Sequence, residues 1–289
     1  MVSVGTLDRV KRLIVNADDF GLTAGVNSAI AELHATGRLT STTLMAQAEA
    51  TDAAIATARA TPGLGVGCHI VLVDGTPVLP ARELPTLVDS HSGRFRRTLG
   101  VFVQDLLMGR ISHEEIAAEA EAQIQHLRTR GVSLTHVDTH KHTHIFPAVL
   151  QPVLEAAQRC SIRAIRNPFE PNWSIAATHN APALRRLQVH LLNSMRKSFS
   201  RQVAASGLMT TDGAIGVLAT GTLDTLTVAS LLSAMPDGTW ELVTHPGYAD
   251  AALARAGTRL IDSRAVELAA LREIPLSSAT EWIHFDQLR

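Results

Sequence analysis

Four histidines crowd into a nine-residue stretch near the middle of the chain. The stretch HVDTHKHTH occupies residues 136–144, although the whole chain of 289 residues has only 13 histidines. Imidazole is the commonest metal ligand in proteins, so this spacing indicates a divalent-metal site. If the chain stays extended here, residues 136, 138, 140, 142 and 144 point to one face. A surface tract that binds metal only adventitiously is the alternative for this motif taken alone.

Two other apolar strands end in residues of the same chemistry. Asp18 and Asp19 lie in the stretch NADDFG at residues 16–21, and His69 ends the stretch LGVGCH. The carboxyl ends of parallel strands meet at the edge of a sheet where active sites form. Both aspartates can serve one site only if the chain turns there, which Gly21 permits. Singly, the aspartates could cap a helix and His69 could be structural.

Taken together, an aspartate and two histidines from three strand ends match the ligand set of a catalytic divalent ion. Such an ion keeps one position open, lowers the pKa of a bound water to about 7 and polarises a carbonyl. The second aspartate is then available as a general base. Zinc or magnesium is the expected ion, with manganese and nickel also compatible with these ligands.

The elements that must position these residues alternate between strands and helices. The patterns predict strands over residues 12–17, 41–46, 64–70, 134–138, 161–166 and 240–245, and helices over residues 24–36, 51–60, 112–130, 181–205 and 222–234. Six or more β/α units without a linker predict one α/β domain over residues 1–289, folded as a distorted (β/α) TIM-like barrel. An open doubly wound sheet is the alternative. Long loops over residues 71–98 and 167–180 are expected to serve the site.

Composition excludes several classes of function. The net charge is −1, so nucleic acid is not an expected partner. No run of about 18 apolar residues and no leader-like segment is present, so we expect a cytoplasmic protein without a stable membrane span. The two cysteines, Cys68 and Cys160, are expected to be structural thiols in a reducing compartment.

These motifs resemble the YdjC-like carbohydrate deacetylase family, which includes the ChbG chitooligosaccharide deacetylases and the hopanoid-associated HpnK group. The resemblance lies in NADDFG at 16–21, TSTT at 40–43, GCH at 67–69 and THVDTHKHTHIFP at 135–147. The late stretch VTHPG at 243–247 is similar to the family's His-Pro element. The resemblance implies a distorted barrel, one divalent metal and removal of acetyl groups from N-acetylglucosamine-type units.

The resemblance also implies roles for individual residues. Asp19, His69 and His140 would hold the metal, and Asp18 would be the base. His245 would protonate the leaving amine, with a structural histidine before Pro246 as the alternative. His142 and His144 are expected either to support the metal ligands from behind or to face the substrate, and Arg166 is a further candidate for the substrate site. Arg166 follows a predicted strand, where it could orient a carboxylate or a sugar hydroxyl, or pair with Glu170.

Other segments bear on the substrate and the partners. Residues 71–80, residues 84–94 and Lys141 resemble the HpnK group more than the ChbG group, which implies a glycolipid, although Asp138 stands where that group has Asn. A basic amphipathic helix over residues 184–203 either contacts a membrane interface or packs its apolar side on the core. Peripheral contact with the inner membrane and a homodimer are therefore both left open.

Two other functions are compatible with these residues. The ligand set alone does not determine the bond that is broken, so the protein could be a metal-dependent hydrolase of phosphoesters or other amides. It could also be a non-catalytic carbohydrate-binding relative. Asp18 argues against the second alternative, because binding alone needs no base beside the ligand.

Overall fold

The chain alternates between parallel strands and helices. The computed structural model describes residues 10–179 and 181–289, so residues 1–9, where a leader was sought, and Asn180 lie outside the described residues. The strands are β1 (Lys11–Phe20), β2 (Ser41–Leu44), β3 (Gly65–Ile70), β4 (Leu134–Thr139), β5 (Gly213–Ile215), β6 (Gly238–Thr244) and β7 (Thr280–Trp282). The α-helices are α1 (Ala24–Ala35), α2 (Thr51–Ala60), α3 (Leu99–Leu107), α4 (His113–Thr129), α5 (Pro147–Arg159), α6 (Asn172–Ala177), α7 (Ala183–Asn193), α8 (Arg196–Ser206), α9 (Thr225–Ala234), α10 (Ala251–Arg255) and α11 (Asp262–Arg272). Within residues 10–179 and 181–289, no helix is both long enough and apolar enough to cross a bilayer.

The strands form one parallel sheet that curls into a distorted barrel. Its order is β4-β3-β2-β1-β6-β5, and β7 pairs with the first residues of β1. Beyond β4, the irregular segment 163–169 bridges β4 at Ile165 and bridges Met209 at Ala164. Residues 209–215 then lead into β5, so the chain runs around the sheet and returns to β6. This confirms the predicted α/β barrel in place of an open doubly wound sheet.

The two ends of the barrel differ. At the amino end, a short 3-10 helix at Phe285–Gln287 lies under the strands, and Phe285 stacks on His136 with ring centroids 3.7 Å apart. Ile14, Ala164 and Ile283 pack around Phe285 and close this end with apolar contacts. The carboxyl end carries the predicted chemistry: His69 pairs with Asp138 in register, and Ala17 pairs with Thr244. The residues with the predicted chemistry therefore lie together at the carboxyl edge of the described barrel.

Two local predictions need correction. The long helix expected over 181–205 is two helices, because Ser194 and Asn193 bond to backbone carbonyls where α7 ends. The strand expected over 161–166 pairs only at two bridges, since Ser161 begins it in a left-handed turn with φ 54°. The cap of α4 is simpler: the Ser112 side chain accepts from the Glu115 backbone N–H, while the Glu115 carboxylate accepts from the Thr86 and Leu87 amides.

Candidate active site

The two aspartates lie side by side because β1 kinks at its end. Asp19 has φ 65°, and the pairing of β1 with β2 shifts register between Ala17 and Phe20. A left-handed residue breaks the alternation of a strand, so Asp18 and Asp19 both reach one cleft. The turn expected near Gly21 (φ 97°) therefore begins at Asp19 itself.

Three predicted ligands converge on one point. Asp19 Oδ1 lies 3.4 Å from His69 Nε2 and 3.4 Å from His140 Nδ1, and the two histidine nitrogens are 3.2 Å apart. Ligands about 2.0–2.1 Å from a tetrahedral ion would be about 3.3–3.4 Å apart, whereas an octahedral magnesium site brings neighbouring ligands to about 2.9 Å. The Asp/His/His donor set and its spacing fit a divalent ion.

The environment of His69 also favours a cation at this point. Its Nδ1 is 2.8 Å from Asp138 Oδ1, which aims Nε2 at Asp19 and His140. Burial lowers the pKa of His69, but the charge of Asp138 and the hydrogen bonds to Asp138 and Asp19 outweigh it and raise the pKa to about 10. A field that holds a proton so firmly also attracts a metal ion, which must displace that proton in order to bind.

Asp18 is held by Arg166, which is completely buried. The guanidinium donates to both carboxylate oxygens of Asp18 at 2.9 and 2.7 Å. It also donates to Asp138 and, at 2.8 Å, to Glu241. Burial raises the pKa of Asp18, but the ion pair with Arg166 outweighs it and lowers the pKa far below its usual range. Arg166 thus lies beneath the site, and its partners are these three carboxylates instead of Glu170.

His245 follows β6 and completes the edge. Its Nε2 is 3.7 Å from Asp18 Oδ2, and the ring lines the cleft. Burial lowers the pKa of His245 to about 4, although Asp18 and Asp19 oppose the shift. The ring is therefore neutral at pH 7.

Two charged residues of α11 support the site and were missed in the sequence. Arg264 donates to Oδ2 of Asp19, and Glu267 accepts the backbone N–H of His245 at 2.5 Å. Glu267 is also 3.8 Å from His245 Nδ1. Both lie on the buried side of α11 together with Leu268. Charges on the apolar face of an amphipathic helix were the available signal, but α11 was not predicted.

The histidine stretch does not stay extended. It turns into a 3-10 helix over His140–Ile145, with φ values of 56° at Lys141 and 51° at His142. The expectation of one shared face is therefore wrong beyond His140. His142 lines the cleft, and its buried Nδ1 has no partner among the described residues.

His144 lies away from the cleft lining. Its Nδ1 is 2.7 Å from Thr139 Oγ1, and its Nε2 is 3.3 Å from the carbonyl oxygen of Arg166. Burial lowers the pKa of His144 to about 3, so the ring is neutral. These contacts tie the histidine stretch to the segment that carries Arg166.

The cleft above these residues has a volume of about 550 Å³. Both long loops contribute to it, through Asp74 and Arg97 on one side and Phe169 and Glu170 on the other, as predicted. Its walls are largely apolar and are formed by Leu22, Met45, Leu99, Ile145, Val189, Leu192 and Leu260. Lys141 pairs with Asp74 at 2.7 Å across the mouth of the cleft.

The fold and the site together define a parallel α/β barrel protein with an Asp/His/His cluster at its carboxyl edge. The YdjC-like protein family matches residues 12–281. A carbohydrate deacetylase of Brevibacillus brevis is 34% identical over 282 residues, covering 96% of each chain. A chitooligosaccharide deacetylase of Enterobacter sp. is 39% identical over 150 residues, covering 52% of this chain and 56% of its own.

A solved structure agrees with this grouping. The structure of a protein from Enterococcus faecalis V583, described as a cellobiose-phosphate cleavage protein, is similar to this one. The two superpose with a TM-score of 0.67 at 25% identity, over 91% of this chain and 90% of that one. The chain belongs to the YdjC-like family, as its motifs indicated.

Proposed function

We propose that this protein is a metal-dependent hydrolase that removes the acetyl group from an N-acetylated amino sugar. The observation that carries the proposal is the cluster of buried Asp19 and His69 with half-buried His140, beside an ionised Asp18 that is itself 3.7 Å from His245. Ligands, base and proton carrier thus share one edge of the barrel. The named deacetylases among its relatives support the same reaction.

Asp19 Oδ1, His69 Nε2 and His140 Nδ1 would hold the ion. Two nitrogen donors and separations of 3.2–3.4 Å favour zinc over magnesium. When bound, such an ion polarises the acetyl carbonyl and lowers the pKa of water. Arg264 holds the second oxygen of Asp19 and leaves the first for the ion.

Asp18 and His245 move the proton in this proposal. Asp18, which Arg166 keeps ionised, accepts a proton from the attacking water as its oxygen bonds to the acetyl carbon. The C–N bond then breaks, and the amine nitrogen needs a proton. His245 is neutral at pH 7, so it can supply that proton only after receiving one. Asp18 is close enough to provide it, and the products are acetate and the free amine.

The cleft favours a substrate that carries an apolar group beside the sugar. Apolar side chains such as Leu99, Val189 and Leu192 line the cleft beside the polar site residues, which supports the glycolipid implied by the resemblance to the HpnK group. Of the residues expected near the substrate, His142 lines the cleft and is assigned to bind a sugar hydroxyl. His144 and Arg166 are assigned to hold the site from beneath.

Acetate release tests the proposal. Chelated enzyme would be assayed on an N-acetylglucosaminyl glycolipid and on diacetylchitobiose, each with zinc, magnesium or manganese restored. We expect no acetate without metal, the highest rate with zinc and a preference for the glycolipid. A preference for diacetylchitobiose would overturn the assignment of a glycolipid substrate but not deacetylation itself. No acetate from either substrate with metal bound would overturn deacetylation.

A further inference from the structure

Helix α7 presents an apolar stripe to the outside of the molecule. Leu184, Leu187 and Leu191 are 67%, 53% and 60% exposed. Their spacing of three and four residues places them on one side of the helix. We call these three residues the leucine stripe. An apolar side packed on the core was one of the two alternatives for this helix, and it is wrong for these leucines.

The opposite side of α7 is already occupied. Val189 is buried there, Arg185 donates to the Val217 carbonyl at 2.9 Å, and Arg186 donates to the Ile175 carbonyl at 3.0 Å. The arginines thus anchor the helix to the barrel by polar contacts. The leucine stripe cannot turn inward without breaking the hydrogen bonds of these arginines.

The segment that carries the leucine stripe has an excess of basic residues, two of which are exposed. Residues 171–211 contain five lysines and arginines and no aspartate or glutamate. On the next helix, Lys197 and Arg201 are exposed and lie one turn apart. In a dimer with a two-fold axis, the cations of both copies would lie in one interface, and three leucines supply only part of the about 800 Å² that each partner of a stable dimer buries. The complementary partner is apolar and anionic.

The leucine stripe also lies at the rim of the cleft. Gln188, Val189 and Leu192 of the same helix line the cleft, and Gln188 is itself exposed. A partner surface that binds the leucine stripe would therefore lie beside the mouth of the cleft.

We infer that the leucine stripe, with Lys197 and Arg201, docks this protein on a lipid surface that carries anionic head groups. Leucines enter the boundary between head groups and acyl chains, while the cations contact phosphates. The docked protein holds its cleft next to the lipid. This inference depends on the exposed surface and not on the reaction assigned to the site.

Co-sedimentation of the full chain with vesicles tests the inference. We expect binding to phosphatidylcholine vesicles that contain phosphatidylglycerol, weakened by salt, and little binding to phosphatidylcholine alone. The double variant Leu187→Gln/Leu191→Gln should bind about tenfold or more weakly. The variant Lys197→Gln/Arg201→Gln should also lose about tenfold and most of the salt dependence.

A matched control shows whether the effect is specific to the leucine stripe or is common to any exposed leucine. Leu276→Gln changes a leucine that is 55% exposed between α11 and β7, at the amino end of the barrel, and should bind like the unchanged protein. Circular dichroism confirms that each variant folds. Equal binding to both vesicle types, or equal binding by the leucine double variant, would overturn the inference. So would a dimer in light scattering that the leucine double variant turns into a monomer without any vesicle binding.

Discussion

Arg264 donates a hydrogen bond to one carboxylate oxygen of Asp19, while the other oxygen faces His69 and His140 at 3.4 Å. Asp19 and Arg264 are 245 residues apart in sequence, and the guanidinium is completely buried. Burial raises the pKa of Asp19, but Arg264 and the two histidines outweigh it and lower the pKa well below its usual value. Asp19 is therefore ionised and has only one oxygen free.

Loss of Arg264 should weaken metal binding. In Arg264→Gln the carboxylate of Asp19 can rotate, and we expect about 10- to 100-fold lower metal affinity, as is usual when a group that orients a ligand is removed. Competition with a chromogenic chelator measures this change. Arg272→Gln, on the same helix but at an exposed pair with Glu32, is the control and should bind metal normally. Tighter binding by Arg264→Gln would contradict the orienting role and show that Arg264 acts mainly through its charge.

Two variants should distinguish the role of Asp18 as a base from the role of His140 as a metal ligand. Asp18→Asn keeps the three ligands, so it should retain metal while the rate of acetate release falls by about 10²–10⁴. His140→Ala removes a ligand and should lose both metal and rate. Metal content by mass spectrometry and acetate release are measured together, with exposed His91→Ala as the histidine control. Full activity in Asp18→Asn would remove Asp18 from the role of base.

The role of His245 should depend on the leaving group. An amine must be protonated as it departs, whereas the phenoxide released from an aryl ester leaves without a proton. His245→Ala should therefore slow acetate release from an N-acetyl sugar by about 10²–10⁴ and affect release from an aryl acetate ester much less. Comparing the two rates in one variant measures this. An equal loss on both substrates would indicate that His245 positions the site and is not the proton donor.

The sequence predicted the strands that carry the site because their signals are local. Runs of buried apolar residues ending in Asp18, His69 and Asp138 identify strands and their carboxyl ends without any knowledge of tertiary contacts. The kink that brings Asp18 and Asp19 together was not predicted at Asp19, since a left-handed aspartate has no distinctive pattern. The break between α7 and α8 was missed for a similar reason.

The supporting charges could not be predicted, because their partners are distant in sequence. Arg166 contacts Asp18 across 148 positions and Glu241 across 75. A single arginine after a strand gives no sign of which carboxylates it will meet. Arg264 and Glu267 were missed together with α11, whose buried side mixes charges with leucines and so blurs the helical period.

Glu241 should make the stability of the protein fall as pH rises. Burial raises its pKa from 4.5 to about 7, although Arg166 opposes the shift, and its second oxygen has no partner among the described residues. The folded state therefore keeps a proton that the unfolded chain has already lost. The stabilisation is complete below about pH 4.5 and is lost as pH rises through about 7.

Glu241→Gln removes this titration while keeping the size of the side chain. A rise from 4.5 to about 7 corresponds to about 3 kcal/mol of unfolding free energy. Urea unfolding at pH 5 and pH 8 should show that the variant loses less stability than the unchanged protein over this interval, by most of that amount. Glu281→Gln, an exposed carboxylate paired with Arg12, serves as the control and should show the unchanged pH dependence. If Glu241→Gln and the unchanged protein lose equal stability, then Glu241 is ionised in the folded state across this range, and the charge of Arg166 outweighs burial at this carboxylate.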